Sequence, residues 1–184
     1  GYFQEDDWNK IFADLPTKPA LVTEYRPRSS AVGGFGWPAT DQDQADQMPH
    51  LDWTYSMTKD EPLFVAPAWP RFDDIYKEAG TQHSWGHIDD AGGKVYTTTL
   101  TRALESDSPI IQIATWNDYG EGTMIEPTKE FQYRFLTTLQ TAVGATYTDA
   151  ELKIVKMLFD QRRQYGGSKQ AQLDQASAAL ANLD

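Results

Sequence analysis

Ile110-Ile111-Gln112-Ile113-Ala114-Thr115-Trp116-Asn117-Asp118-Tyr119-Gly120-Glu121-Gly122-Thr123-Met124-Ile125-Glu126-Pro127 is the stretch on which the reading of this chain turns. It opens with a short apolar, β-branched run, the pattern of a strand buried on both faces of a parallel sheet. Within a few residues it changes to aromatics, an amide, two carboxylates and glycines. An unpaired carboxylate is costly to bury, so Asp118 and Glu121 belong where the strand ends and the chain meets solvent or a ligand. In a (β/α) architecture that C-terminal end of a strand is where chemistry is placed. Two acids framed by Trp116 and Tyr119 suit acid–base work against a sugar face. The plain alternative is a helix-capping loop with solvated acids. Such a loop has no need of Trp, Asn and Tyr in succession, and Gly120 and Gly122 let the backbone bend sharply around Glu121 or admit a ligand closely.

Trp116-Asn117-Asp118-Tyr119-Gly120-Glu121 resembles the signature of glycoside hydrolase family 71, the fungal α-1,3-glucanases. Glu121-Gly122-Thr123-Met124-Ile125-Glu126-Pro127 is similar to the continuation seen in family 99, the endo-acting α-mannosidases. The resemblance implies a (β/α)8 barrel in which the two acids of the motif carry the catalysis. Glu121 would be the general acid that protonates the leaving oxygen. Asp118 would be its partner, activating water or the sugar's own 2-hydroxyl. Family 99 has Glu at the position of Asp118, so the shorter arm sides with family 71. An α-linked glycan of the α-1,3-glucan or α-mannan type is the implied substrate, with Trp116, Asn117, Tyr119 and Glu126 shaping the site. No cofactor and no metal are implied, and the setting expected for such an enzyme is secreted, periplasmic or at the cell surface. The match is dense over residues 110–127, looser over about 31–105, and does not reach the tail.

The whole chain bounds this reading. Its 184 residues suit one ordinary domain with a real core. The net charge of −11 argues against a nucleic-acid partner, which needs a basic surface, and is compatible with a neutral glycan. No apolar run reaches membrane-spanning length. The absence of cysteine excludes a disulfide framework and thiolate metal sites. A complete (β/α)8 barrel needs about 250 residues, and at least about 200. The expected fold is therefore α/β: the C-terminal half of a TIM-type barrel with parallel strands over residues 1–145, followed by an α-helical hairpin over 146–184. Half a barrel leaves two sheet edges open, so the expectation includes a partner, either the missing N-terminal half or a second copy of the chain. The rival function is a non-catalytic glycan-binding module, or a truncated barrel that needs a partner chain.

The remaining segments follow in order. Trp8, Ile11, Phe12 and Leu15 fall at helical spacing behind Glu5-Asp6-Asp7, acids suited to a helix N-terminus. Ala20–Tyr25 reads as a strand and Arg26-Pro27-Arg28-Ser29-Ser30 as a loop. Ala31–Ala39 is a second strand running into a loop, with glycines suited to close packing and Trp37 as a platform for a sugar ring. Asp41, Asp43 and Asp46 read as helix-start acids rather than a calcium loop, lacking the required glycine and distant Glu. A crossover helix is expected over 44–58. Pro62–Asp74 is a third strand entering an aromatic loop, where Trp69 stands at the position the related families give to a sugar-subsite aromatic. Residues 79–93 form a long glycine-rich loop carrying Trp85, a further stacking candidate. Gly86 between His83 and His87 argues against a helical zinc pair. Helices are expected over 94–105 and around Phe131, Phe135 and Leu139, and the alternation from 31 to 142 means parallel strands. Thr148-Asp149-Ala150-Glu151 is a capping box. It opens a two-helix tail broken at Gly166-Gly167-Ser168, with Leu173, Ala176, Leu180 and Leu183 on one face of its second helix and no chemistry of its own.

Overall fold

A computed structural model describes residues 3–25, 29–40, 47–58 and 60–182. Arg26, Pro27, Arg28, Asp41, Asp43, Asp46 and Leu183, named above, lie outside the described residues. The elements in chain order are α1 (Glu5–Ala13), β1 (Val22–Glu24), β2 (Gly33–Phe35), α2 (Met48–Thr58), β3 (Leu63–Ala68), β4 (Phe72–Asp73), β5 (His87–Ile88), α3 (Lys94–Leu104), β6 (Ile110–Ile113), α4 (Arg134–Ala142), α5 (Asp149–Tyr165) and α6 (Gln170–Ala181). The chain divides into two compact units, residues 1–126 and 127–184. No described helix is long and apolar enough to cross a membrane.

The first unit is built on a parallel sheet in the order β1-β2-β3-β6. Val22 pairs with Gly33, Gly33 with Leu63, and Val65 with Ile110. Because the strands run the same way, their C-terminal ends share one edge of the sheet. β2 packs so closely on β3 that a Cβ on Gly33 would lie 1.4 Å from the Leu63 carbonyl oxygen. Only glycine fits there.

Helix α3 shows why the connecting segments fold as they do. Val95, Tyr96, Thr99, Leu100 and Ala103 are buried, at the spacing of one helical face. Thr99 uses that face to hold the end of β3: its Oγ1 accepts from the Trp69 N–H at 3.1 Å and donates to the Trp69 carbonyl at 2.9 Å. Two main-chain groups just past the strand are thereby satisfied away from water. The core gathers Leu51 of α2, Trp69, Phe72, Ile88, Val95 and Ala114.

Two features depart from the sequence expectation. Strand β6 is not covered on both faces: Ile110 is 47% exposed and the rest of the strand is half-buried. Among the described residues it pairs only with β3 and forms one margin of the sheet. An apolar run records that a segment is a strand, not how many neighbours it has. Residues 79–93 are also more than a loop, since β5 lies antiparallel to β4, pairing Phe72 with Ile88 and Asp73 with His87.

The second unit is helical. Thr148 caps α5, its Oγ1 accepting from the Ala150 N–H at 3.2 Å while its own N–H donates to Glu151 Oε2 at 2.6 Å. Gly166, at φ 48°, ends α5, and a short 3-10 turn leads into α6. The α5–α6 hairpin is tied by Arg162, which bonds Ser177 Oγ at 2.9 Å and pairs with Asp174 at 2.8 Å.

Candidate functional site

At the C-terminal edge of the sheet, β1 ends on Glu24-Tyr25, β2 on Gly36-Trp37, β3 on Trp69-Pro70, and β6 on the loop carrying Asp118 and Glu121. That loop closes on itself. Thr115 N–H donates to the Thr123 carbonyl at 3.0 Å, and Ile125 N–H returns a bond to the Thr115 carbonyl at 3.0 Å. The Thr115 and Thr123 hydroxyls meet at 2.9 Å, and the Asp118 N–H donates to Thr115 Oγ1 at 3.0 Å.

Main-chain bonds then fix the loop to β4 and the residues after it. Asp73 N–H donates to the Glu121 carbonyl at 2.8 Å, and Ile75 N–H to the Gly120 carbonyl at 3.0 Å. Arg71 Nη1 donates to the Gly122 carbonyl at 3.3 Å. Gly122 has φ 64°, and a Cβ there would come within 2.7 Å of the Asp73 carbonyl oxygen. Both the backbone angle and the close approach select glycine.

Glu121 is half-buried. Its Oε1 accepts from the Tyr76 hydroxyl at 3.1 Å, while Oε2 is buried without a bond of good geometry. Burial pushes this carboxyl above the ordinary range; the Tyr76 bond opposes the shift, the Asp118 charge adds to it, the nearby Trp37 indole opposes it, and the Asp74 charge adds again. The net direction is upward, because burial outweighs the bonds that oppose it. Asp118 is close by in a second capacity, its Oδ1 accepting the Glu121 N–H at 3.0 Å.

A cavity of about 290 Å³ opens beside Glu121, with Glu24, Tyr25, Trp37, Phe72 and Trp85 among its walls. Trp85 is held there by a buried acid at the other end of the β4–β5 connection. Asp74 Oδ2 accepts from the Trp85 N–H at 2.7 Å and from Ser84 Oγ at 3.1 Å, while Oδ1 accepts from the Tyr76 N–H at 3.2 Å. Thr40 Oγ1 donates to the Trp85 carbonyl. Asp73, beside it, is occupied by Arg71 at 2.7 Å and His87 at 3.0 Å. Burial works to raise the Asp73 carboxyl, but the bonds from His87 and Arg71 prevail and hold it low.

Of the residues singled out in the sequence, the structure brings Glu121, Trp37 and Trp85 around this cavity. Asp118 lies next to Glu121 but is not one of the cavity walls. Trp69 is placed differently: it is fully buried among Leu51, Phe72, Ile88, Val95 and Ala114, with no ring face open to a ligand. The reason is its direct continuation of β3, whose last residues are all buried and whose end Thr99 clamps inward. Trp116, Asn117 and Tyr119 are exposed on the loop, and Glu126 Oε2 accepts from the Tyr119 hydroxyl at 2.6 Å. These four residues are not walls of the 290 Å³ cavity. Sequence reasoning passed over Glu24 and Tyr25. Tyr25 sits at φ 56°, in the left-handed region that a bulky residue rarely adopts. It is held there by its N–H on the Phe35 carbonyl at 2.7 Å and its hydroxyl on the Trp37 carbonyl at 3.2 Å.

Fold and cavity together define a class: a partial (β/α)8 TIM-type barrel of parallel strands with a C-terminal helical hairpin, its acids and aromatics gathered at the C-terminal edge of the sheet. The fold is like that of glycoside hydrolase family 99. The structure of the GH99 endo-α-mannosidase from Bacteroides thetaiotaomicron matches with a TM-score of 0.51 at 18% identity, over 77% of this chain and 52% of that one. A second structure of a GH99 endo-α-mannosidase, in complex with BIS-TRIS-propane, aligns with a TM-score of 0.48 at 19% identity, over 76% of this chain and 54% of that one. The chain thus spans about half the length of the solved structures it matches. No protein-family model matches the chain, and no curated protein matches it by sequence.

Proposed function

We propose that this chain acts as a glycoside hydrolase on an α-linked glycan of the α-1,3-glucan or α-mannan type, with Glu121 as general acid and Asp118 as its partner. The observation that carries the reading is the half-buried Glu121 carboxyl at the end of β6, held above its ordinary range beside an aromatic-walled cavity. A general acid must hold its proton at working pH, and burial is the usual means of arranging that. Glu121 gives its proton to the glycosidic oxygen as the bond to the anomeric carbon breaks, so the departing sugar leaves as a neutral alcohol. Asp118 takes a proton from water or from the sugar's 2-hydroxyl, and the oxygen so freed forms the new bond to the anomeric carbon; in the second case water then opens the resulting ring. Trp37 and Trp85 offer ring faces to the apolar side of a pyranose. Trp116, Asn117, Tyr119 and Glu126, outside the cavity, meet the glycan beyond it. A polymeric substrate of this kind fits a secreted, periplasmic or cell-surface setting.

A second reading is a glycan-binding module, or a half-barrel that turns over only with a partner chain. A sheet of four parallel strands among the described residues, in a chain that covers about half of its structural match, favours it. Release of reducing ends from α-1,3-glucan and α-mannan, compared with Glu121→Gln, separates the two. Turnover abolished by Glu121→Gln supports the hydrolase. Glycan binding without turnover in the unmutated protein overturns it in favour of the module.

A further inference from the structure

We infer that the glycan cleft continues past the Glu121 cavity onto helix α2, where Trp53, His50 and Tyr25 form a second, non-cleaving site for a sugar ring; this rests on the glycoside-hydrolase reading. A larger hollow of about 680 Å³ adjoins the first and shares Tyr25, Pro38, Thr40 and Trp85 with it. The two are therefore compartments of one trough with a common wall. The larger compartment is lined in addition by Ala39 and by Pro49, His50 and Trp53 of α2.

Its lining differs in chemistry from the first compartment. Among the described residues, none that lines it is an acid, a lysine or an arginine, whereas Glu24 and Glu121 line the smaller one. A neutral ligand with an apolar face suits such a lining. Trp53 is 42% exposed and Trp85 54% exposed. Exposed aromatics scattered singly need no explanation, but these line one hollow.

The aromatic cluster is also rigid. Trp53 stacks on His50 with ring centres 5.8 Å apart and planes 29° apart, and Tyr25 lies 5.2 Å from Trp53. His50 Nε2 and the Tyr25 hydroxyl both donate to the Trp37 carbonyl oxygen, at 2.8 Å and 3.2 Å. One carbonyl thus fixes the outer compartment to the tryptophan of the inner one. The occupant that follows is the next ring of the glycan whose neighbour lies against Glu121.

The test uses glucose and mannose and their α-1,3-gluco- and α-manno-oligosaccharides of defined length, from the monosaccharide upward. Their dissociation constants are measured by titration calorimetry on the Glu121→Gln background, and KM on the active protein. Trp53→Ala is expected to weaken oligosaccharides long enough to span both compartments by on the order of tenfold. The shortest should be unchanged, and Trp53→Phe should recover most of the loss. If Trp53→Ala fails to fold, Trp53→Leu removes the ring face while keeping much of the volume. An equal effect at every length, or none at any length, overturns the subsite and leaves the hydrolase reading standing. Failure of every oligosaccharide to bind the unmutated protein overturns both.

Discussion

The backbone N–H of Glu121 donates to Asp118 Oδ1 at 3.0 Å, so the first acid of the signature braces the second. Asp118 also acts through its charge, which helps hold the Glu121 carboxyl up. Asp118→Asn keeps an oxygen acceptor for the brace and removes the charge. Glu121 then loses part of its upward shift and ionises at lower pH. Since a general acid works only while protonated, the basic limb of kcat/KM should move to lower pH. If Asp118 also moves a proton, turnover should fall by about 10²-fold or more. A pH–rate profile reads both effects, and an unshifted limb would count against the charge coupling.

Tyr76→Phe pushes in the opposite direction. The hydroxyl bonds Glu121 Oε1 and favours its ionised form. Without it the carboxyl holds its proton to higher pH, and the basic limb should move up. Opposite displacements in Tyr76→Phe and Asp118→Asn would assign that limb to Glu121. The same profiles, recorded side by side, supply the check.

Gly122→Ala should destabilise the protein by about 1–3 kcal/mol, because a Cβ both strains the left-handed backbone and crowds β4. The residue sits at φ 64° with the Asp73 carbonyl oxygen 2.7 Å from the new atom. Relief requires the loop to lift from β4, which would also displace Glu121. Urea unfolding measures the first consequence and residual turnover the second.

Trp69→Ala and Trp85→Ala should behave as opposites. Trp69 is wholly inside the core, so its truncation should cost about 3–5 kcal/mol, read from urea unfolding. Trp85 is more than half exposed, so its truncation should change stability by less than about 0.5 kcal/mol. It should weaken glycan binding instead, as calorimetry would show.

These two tryptophans illustrate what was legible in the sequence. The apolar run of β6, its abrupt polar ending, the face of α3 and the Thr148 cap are all local patterns, and local patterns can be read residue by residue. Trp69 and Trp85 both follow as aromatics in loops after apolar or glycine-rich stretches, and nothing local separates them. What separates them is distant: Thr99 turns the end of β3 into the core, and Asp74 anchors the segment bearing Trp85. Glu24 carried no motif at all, being one acid in Val22-Thr23-Glu24-Tyr25, and its place on the cavity wall depends on where β1 falls beside β2. Strands β4 and β5 are two residues each, too short for any alternation to register.

The bonds from Asp73 and Ile75 to the Glu121 and Gly120 carbonyls come from main-chain nitrogens, not side chains. The address of Glu121 is therefore written in backbone, and side-chain turnover at those two positions can leave it intact. Arg71, reaching Gly122 through its guanidinium, is the exception. Proline is the replacement that erases a donor outright, so positions 73 and 75 should keep Glu121 in place through most side-chain changes while rejecting that single residue, whereas Asp74 between them is needed for its carboxylate.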